Sequence, residues 1–198
     1  MKKQNIFIDF DGTICFDYFW RSAPEEIKKT IGKFLFQDNT YLLEDWMRGK
    51  KSSEDINQII SDECNLDYNM IWNYFVKDCN NMYIPEAILD VLSACKKNNT
   101  LILITDNMDC FNRFTINKLK LLNYFHHIFN SYDYGVLKDD PLPKGLFKKV
   151  IDLNGFDIQK SVLLDNSQKN CDLFNQLGGS SFLIKDKQDV VSILKMLE

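Results

Sequence analysis

Short, almost wholly apolar runs alternate with longer stretches of helical periodicity along this chain, and that alternation limits it to few folds. The runs are "NIFIDF" (5–10), "TLILITD" (100–106), "SVLLD" (161–165) and "SFLI" (181–184), with "HIFNSY" (127–132) a weaker fifth. A run without polar alternation suits a strand covered on both faces, which is the usual condition of a parallel sheet. Helical patterns lie between them: "PEAILDVLSACKK" from Pro85, "CFNRFTINKLKLL" from Cys110, "KGLFKKVIDLN" ending at Gly155, "KNCDLFNQL" ending at Gly178, and "QDVVSILKML". Proline at a helix start and glycine just past helix ends support these boundaries. The expected fold is α/β, a Rossmann-like parallel sheet with helices on both faces.

Residues 15–84 break the alternation, since they carry helix signals and no strand. Ser22 with Glu25 three residues on reads as a capping box ahead of "EIKKTIGKFLF", and "YLLEDWMR" stops at Gly49. "SSEDINQIISDEC" and "NMIWNYFVKDC" follow. The expectation is an all-helical cap domain, 15–84, inserted into a core made of 1–14 and 85–198. Its many aromatic residues read as helix packing, with a minority near Tyr18 to Arg21 facing the rim of the sheet. Arg48 and Arg113 read as surface residues.

Composition narrows the partners. A chain of 198 residues that is 45% hydrophobic can bury one core with an insertion. With 24 Lys and Arg against 28 Asp and Glu, the net charge of -4 provides no basic field for a nucleic acid. The longest purely aliphatic run is "LILI" (101–104), so no membrane segment is expected. Six cysteines without a C-x-x-C pair read as reduced thiols in a cytoplasmic protein. His126 and His127 have no ligand-spaced partners and read as structural. Nothing in the sequence bears on oligomeric state.

In open parallel sheets ligands collect beyond the carboxyl ends of the strands, where this chain places Asp9, Thr105 with Asp106, and Asp165. Side chains two apart on a strand share a face, so Asp9 and Asp11 point together while Phe10 points away. Paired carboxylates repel unless a cation joins them, and Mg²⁺, which favours one or two carboxylates plus phosphate oxygens, is the natural partner.

These motifs resemble the haloacid dehalogenase superfamily of aspartate-nucleophile phosphohydrolases, in its subfamily I-like form with a helical C1 cap. "IFIDFDGT" matches the first signature of that family, "LILIT" the second, a lysine near a helix start the third, and "VLLDNSQKN" stands in place of the fourth. The resemblance implies that Asp9 attacks phosphorus and that Asp11 acts as general acid and base. It further implies that Thr105, Asp106 and a lysine hold the phosphoryl group, and that Asp9, Asp11, Asp165 and Asn166 surround Mg²⁺. Lys144 directly precedes a helix and is preferred for the lysine, with Lys138 as the alternative. The metal-binding aspartate of the fourth signature falls on Asn166, whose neutral amide predicts weaker metal binding. The same Asp-Asn-Ser triplet resembles that of small phosphatases acting on the RNA polymerase tail. Asn170 matches a position that orders this loop. The cap is similar to lids that close over small phosphorylated metabolites, and Arg21 is its candidate substrate contact.

The implied activity is a Mg²⁺-dependent phosphatase acting on a small phosphomonoester, a sugar phosphate or nucleotide. Asp11, in place of a neutral residue, disfavours carbon-halogen cleavage. A phosphomutase, or a binding protein of the same fold with weak turnover, are the alternatives.

Overall fold

The computed structural model describes residues 3–198; residues 1 and 2, which open the expected core segment 1–14, lie outside them. Five parallel strands form one sheet: β1 (Asn5–Ile8), β2 (Thr100–Thr105), β3 (His127–Asn130), β4 (Ser161–Asp165) and β5 (Ser180–Leu183), in the order β3-β2-β1-β4-β5. Strand β1 is central, with Ile6 opposite both Leu101 and Val162. All five apolar runs therefore become strands.

The three inner strands β1, β2 and β4 are buried almost throughout because both faces are covered, while the edge strands β3 and β5 are only partly buried. One face carries Ile6, Ile8, Leu101, Leu103 and Leu164, packed with Ile88 and Leu92 of α5 (Glu86–Cys95) and Val190 and Leu194 of α10 (Lys187–Leu197). The other carries Phe7, Ile102, Ile104 and Leu163, packed with Phe147 and Val150 of α8 (Leu146–Asn154) and Phe174 of α9 (Gln168–Gln176). Each such side chain, fully buried, contributes roughly 1.5–3 kcal/mol of transfer free energy.

Between β1 and α5 stand four α-helices, α1 (Glu25–Lys33), α2 (Thr40–Met47), α3 (Ser53–Cys64) and α4 (Tyr68–Cys79), with a π-helical turn (Phe34–Asp38) joining the first two. Their core centres on Trp20, Trp46 and Phe75, with ring centroids of Trp20 and Trp46 lying 5.0 and 5.7 Å from that of Phe75. Met108 and Cys110, from the segment after β2, complete it, so the insertion is packed onto the sheet-bearing part of the chain.

Two local expectations are corrected. Ser22 and Glu25 form no capping box: Pro24 occupies the N-cap of α1, and the Ser22 N–H donates to Asp78 Oδ2 at 2.9 Å. The capping box lies instead at Ser52 and Asp55, ahead of α3. The long helix expected from Cys110 is divided into a π-helical turn (Phe111–Thr115), the short α6 (Ile116–Lys118) and a 3₁₀ turn at Leu121–Asn123. Lys120 takes a left-handed conformation, φ 51°, which turns Leu121 and Phe125 into the core. The remaining helix, α7 (Ser131–Tyr134), follows β3 directly.

Among the described residues no helix is long and apolar enough to cross a membrane. All six cysteines are free thiols. His126 Nδ1 accepts from the Leu101 N–H at 3.1 Å, and His127 stacks on Phe129, so both histidines have structural contacts.

Asp109 anchors the insertion. Its carboxylate accepts from Trp46 Nε1 (2.8 Å) and Ser53 Oγ (2.6 Å) of the insertion and from Arg113 (2.8 Å) beyond β2. Burial alone would raise its carboxyl, but these donors outweigh it and hold the group below the ordinary 3.8. A carboxyl lowered in the folded state stabilises above its unfolded value, and that stabilisation is lost as pH falls through the folded value. Asp109→Asn should lower stability at pH 7 by about 1–3 kcal/mol and flatten the decline of stability below pH 4, both read from urea unfolding across pH.

Candidate active site

The carboxyl end of β1 delivers Asp9 to the middle of the sheet rim. Its N–H continues the strand ladder, donating to Leu164 O at 2.9 Å, so the backbone of Asp9 is fixed before its side chain makes any contact. The side chain is buried. Lys138 Nζ donates to Asp9 Oδ1 at 2.6 Å and to Asp165 Oδ2, at the end of β4, at 2.8 Å. The Thr13 hydroxyl donates to Asp9 Oδ2 at 3.3 Å. Anion, cation and anion thus lie in a row inside the protein, one ammonium shared by two carboxylates.

Burial is the main force raising the Asp9 carboxyl, to about 7; Lys138 opposes the rise, while Asp165 and Asp11 add to it. Lys138 is affected oppositely. Burial would discharge it, but Asp9, Asp165 and Asp106 together outweigh that and hold it firmly protonated.

Asp11 lies at the mouth of the cleft. Asn107 Nδ2 donates to its Oδ2 at 2.7 Å, and the Asn107 Oδ1 in turn accepts from the Met108 N–H at 2.9 Å. The protein wall around Asp11 pushes its carboxyl upward, with Lys138 pulling against it. Asp11 is also exposed to solvent, which tempers the rise. Gly12 then turns the chain at φ 73°, and a Cβ there would stand 2.1 Å from Asn166 Nδ2. The positive φ is what calls for glycine, since the exposed Asn166 side chain can shift. The same approach seats Asn166, an exposed residue, beside the Asp9–Asp11 turn.

Thr105, the last residue of β2, has a buried hydroxyl with no hydrogen-bond partner. A buried orphan of this kind costs about 1–3 kcal/mol and leaves a donor free for an oxygen from outside the chain. Asp106 differs from the expected phosphate contact: its carboxylate accepts the Lys138 N–H at 2.9 Å, and burial raises its carboxyl to about 6 against the pull of Lys138. An acceptor so placed organises the lysine's backbone instead of facing a phosphate oxygen.

The preference for Lys144 is also corrected. Lys138 is the buried lysine among the carboxylates, and Lys144 is exposed in the turn before α8, its N–H bonded to Pro141 O at 3.0 Å. Adjacency to the helix misleads here because residues 139–145 fold as a tight turn that carries Lys144 outward. A Cβ on Gly145 would come within 2.7 Å of Asp140 O.

Arg21 does not reach the rim. Its guanidinium donates to the carbonyls of Tyr18 (3.2 Å), Asp78 (3.1 Å) and Asn81 (2.5 Å), tying the entrance of the insertion to the end of α4. Arg48, expected at the surface, sits closer: it pairs through both terminal nitrogens with both carboxylate oxygens of Asp140, each at 2.6 Å, and is 19% exposed. With Glu44, Asp106, Lys169 and Asn170 it lines a cavity of about 570 Å³ beside the carboxylates. A larger cavity of about 700 Å³, around Gln4, Asn99 and Glu198, opens at the opposite end of the sheet, away from Asp9 and Lys138.

Among the described residues no three Asp, Glu, His or Cys side chains converge as a ready metal cluster. The reason lies in Asp165, whose Oδ1 accepts from the Ser167 N–H (2.8 Å) and Asn170 Nδ2 (3.1 Å) and whose Oδ2 accepts from Lys138 and again from Asn170. Asp165 is thus a lysine partner, which corrects its expected place among the metal ligands, and Asn170 orders it. The remaining oxygen donors are Asp9, Asp11 and the Asn166 amide. Four carboxylates, Asp9, Asp11, Asp106 and Asp165, share Lys138 as their buried cation, so the rim keeps an excess of negative charge. This donor set fits a hard divalent cation held by few protein groups with water and a phosphate oxygen completing its shell, the habit of Mg²⁺.

No protein-family model matches the chain, and no curated protein matches it. Solved structures do. A HAD family enzyme from Bacteroides thetaiotaomicron, in complex with magnesium and inorganic phosphate, superposes with a TM-score of 0.73 at 19% identity over 93% of this chain and 96% of its own. A predicted HAD-like family hydrolase from Porphyromonas gingivalis gives 0.72 at 16% identity over 100% and 98%. L-2-haloacid dehalogenase from Xanthobacter autotrophicus, with chloropropionic acid covalently bound, gives 0.63 at 10% identity over 94% and 80%. The chain has the fold of the haloacid dehalogenase superfamily.

Thr13, Asn107 and Asp140 were not expected as site residues. Thr13 belongs to "DFDGT" and Asn107 follows "LILITD", so closeness to a strand end was the available signal; Asp140 gave none. Lys138→Ala, which leaves Asp9 and Asp165 facing each other without a cation, should cost about 3–5 kcal/mol in urea unfolding at pH 7 in chelator. Lys144→Ala should stay within about 0.5 kcal/mol of the parent.

Proposed function

We propose that the protein is a Mg²⁺-dependent phosphatase of the haloacid dehalogenase superfamily that hydrolyses a small phosphomonoester, a sugar phosphate or nucleotide, through a phosphorylated Asp9. The observation that carries this reading is the buried Asp9 carboxylate held by Lys138 at 2.6 Å, with the unpartnered Thr105 hydroxyl at the end of the adjoining strand. A nucleophile, a fixed cation and a free hydroxyl are what an in-line phosphoryl transfer requires.

Each residue has a stated part. An oxygen of Asp9 bonds to phosphorus as the bond to the leaving oxygen breaks, and Asp11 gives its proton to that oxygen. Water then attacks the phosphorus, Asp11 takes a proton from it, and the Asp9–phosphorus bond breaks, restoring the enzyme. The upward push on the Asp11 carboxyl suits this, because a group that titrates nearer neutrality can both give and take the proton. Asn107 orients Asp11 for both steps. Lys138 and the Thr105 hydroxyl donate to the phosphoryl oxygens, where charge spreads in the transition state. Asp9 and the Asn166 amide would hold Mg²⁺, leaving the Asp11 carboxyl free to carry the proton; the ion would supply charge neutralisation at the phosphoryl group. The fold also houses dehalogenases, and a proton-bearing Asp11 held by Asn107 favours phosphoryl chemistry over carbon-halogen cleavage, which needs no acid there.

With millimolar Mg²⁺ the purified protein should release inorganic phosphate from members of a phosphomonoester panel. Chelation should abolish release, and Asp11→Asn should lower it by about 10²–10⁴-fold. Phosphate release unchanged in Asp9→Asn, or absent across the panel in the parent, would overturn the reading. Asn166→Asp, which adds a charge to the metal's donors, should lower the Mg²⁺ concentration for half-maximal release.

A further inference from the structure

We infer that Arg48 is a positioning residue, which fixes the Lys138 turn through Asp140 and thereby couples seating of the helical insertion to placement of the lysine ammonium. The inference rests on the phosphatase reading for its catalytic consequence, and on geometry alone for the coupling.

Arg48 is the first residue past α2, and that end of α2 is fastened to the sheet side of the molecule. Ser131 Oγ donates to Met47 O at 2.8 Å, and Gly49 lies so close to Tyr132 that a Cβ there would stand 2.7 Å from its carbonyl oxygen. From this anchored end the guanidinium reaches Asp140 with two hydrogen bonds of 2.6 Å. The pair is 19% and 17% exposed, well shielded from the solvent that weakens surface ion pairs. A planar fork against a carboxylate fixes orientation as well as distance.

Asp140 passes this constraint on. Its Oδ2 also accepts the Leu137 N–H at 3.0 Å, so the carboxylate locked by Arg48 closes the turn in which Lys138 is the next residue. The Lys138 N–H is held by Asp106 and its ammonium by Asp9 and Asp165. The backbone of the lysine is therefore bracketed, Asp106 on the sheet side and Asp140 on the side of the insertion. Without Arg48, Asp140 loses the fork that fixes its carboxylate, and Lys169, paired with Asp139 at 2.6 Å, is the cation that remains beside the turn.

A second ion pair between insertion and sheet side supplies the control. Arg113 binds Glu54 of α3 at 2.7 Å and Asp109 at 2.8 Å, and touches no residue of the Lys138 turn. Arg113→Met loosens the insertion without reaching the turn, whereas Arg48→Met keeps the aliphatic stem and removes the fork. Amide hydrogen exchange at 137–140 should rise about tenfold or more in Arg48→Met and remain at the parent rate in Arg113→Met. In turnover, Arg48→Met should lower kcat by about 10- to 100-fold with KM within about threefold, as expected for a displaced catalytic group. Asp140→Ala should resemble Arg48→Met, and the double variant should add little.

Unchanged exchange at 137–140 in Arg48→Met, or an equal rise in Arg113→Met, overturns the coupling. A raised KM with kcat intact would make Arg48 a substrate contact and overturn the positioning role. A parent protein that releases no phosphate defeats the phosphatase reading separately, and the exchange comparison then decides the coupling by itself.

Discussion

The row of charge formed by Asp9, Lys138 and Asp165 is the interaction on which the rest of the rim depends. Two strands, β1 and β4, end in carboxylates that would repel inside the protein, and one ammonium placed between them turns repulsion into a three-centre contact. The arrangement is costly to desolvate and rewards only an accurate geometry. The supporting hydrogen bonds follow from that requirement: Asn170 and the Ser167 N–H fix Asp165, Thr13 contacts Asp9, and Asp106 and Asp140 bracket the lysine's backbone. The parallel sheet supplies the frame, since adjacent strands running the same way bring their terminal residues to one edge.

The helical insertion belongs to the same logic. Its aromatic core reaches across to Met108 and Cys110, and Asp109 between them receives donors from both parts. The end of β2 and the segment that follows it therefore serve three ends: Thr105 closes the strand with a buried hydroxyl and Asn107 holds Asp11, Asp106 holds the lysine turn, and Asp109 anchors the insertion.

The fold was largely legible because it rests on periodicity. Apolar runs without alternation announce strands buried on both faces, and each of the five appears in the sheet. Where local chemistry competed with tertiary contacts, the reading failed: Ser22 has the right spacing for a capping box, but Pro24 and Asp78 decide the local geometry. At the site, the positions of Asp9, Thr105 and Asp165 were readable, since a strand fixes where its end goes, but the partner of Asp165 was not, because Lys138 reaches it from a turn. Residues delivered by turns were not. Lys138 and Lys144 are six positions apart in one loop, and only the turn, with its Arg48–Asp140 pair contributed from distant sequence, decides which is buried. Arg21 and Arg48 are equivalent by composition, and their roles differ because Arg21 meets carbonyls and carboxylates within the insertion whereas Arg48 reaches Asp140 of the lysine turn.

The central claim is that Asp9 accepts a phosphoryl group whose oxygens are met by Lys138 and the Thr105 hydroxyl. Soaking crystals with beryllium fluoride and Mg²⁺ puts a phosphoryl mimic to that place directly. The account predicts beryllium bonded to an Asp9 carboxylate oxygen, with fluorines accepting from Lys138 Nζ and Thr105 Oγ. Beryllium bound at another carboxylate, or a mimic on Asp9 that leaves the Thr105 hydroxyl without a partner, would contradict it.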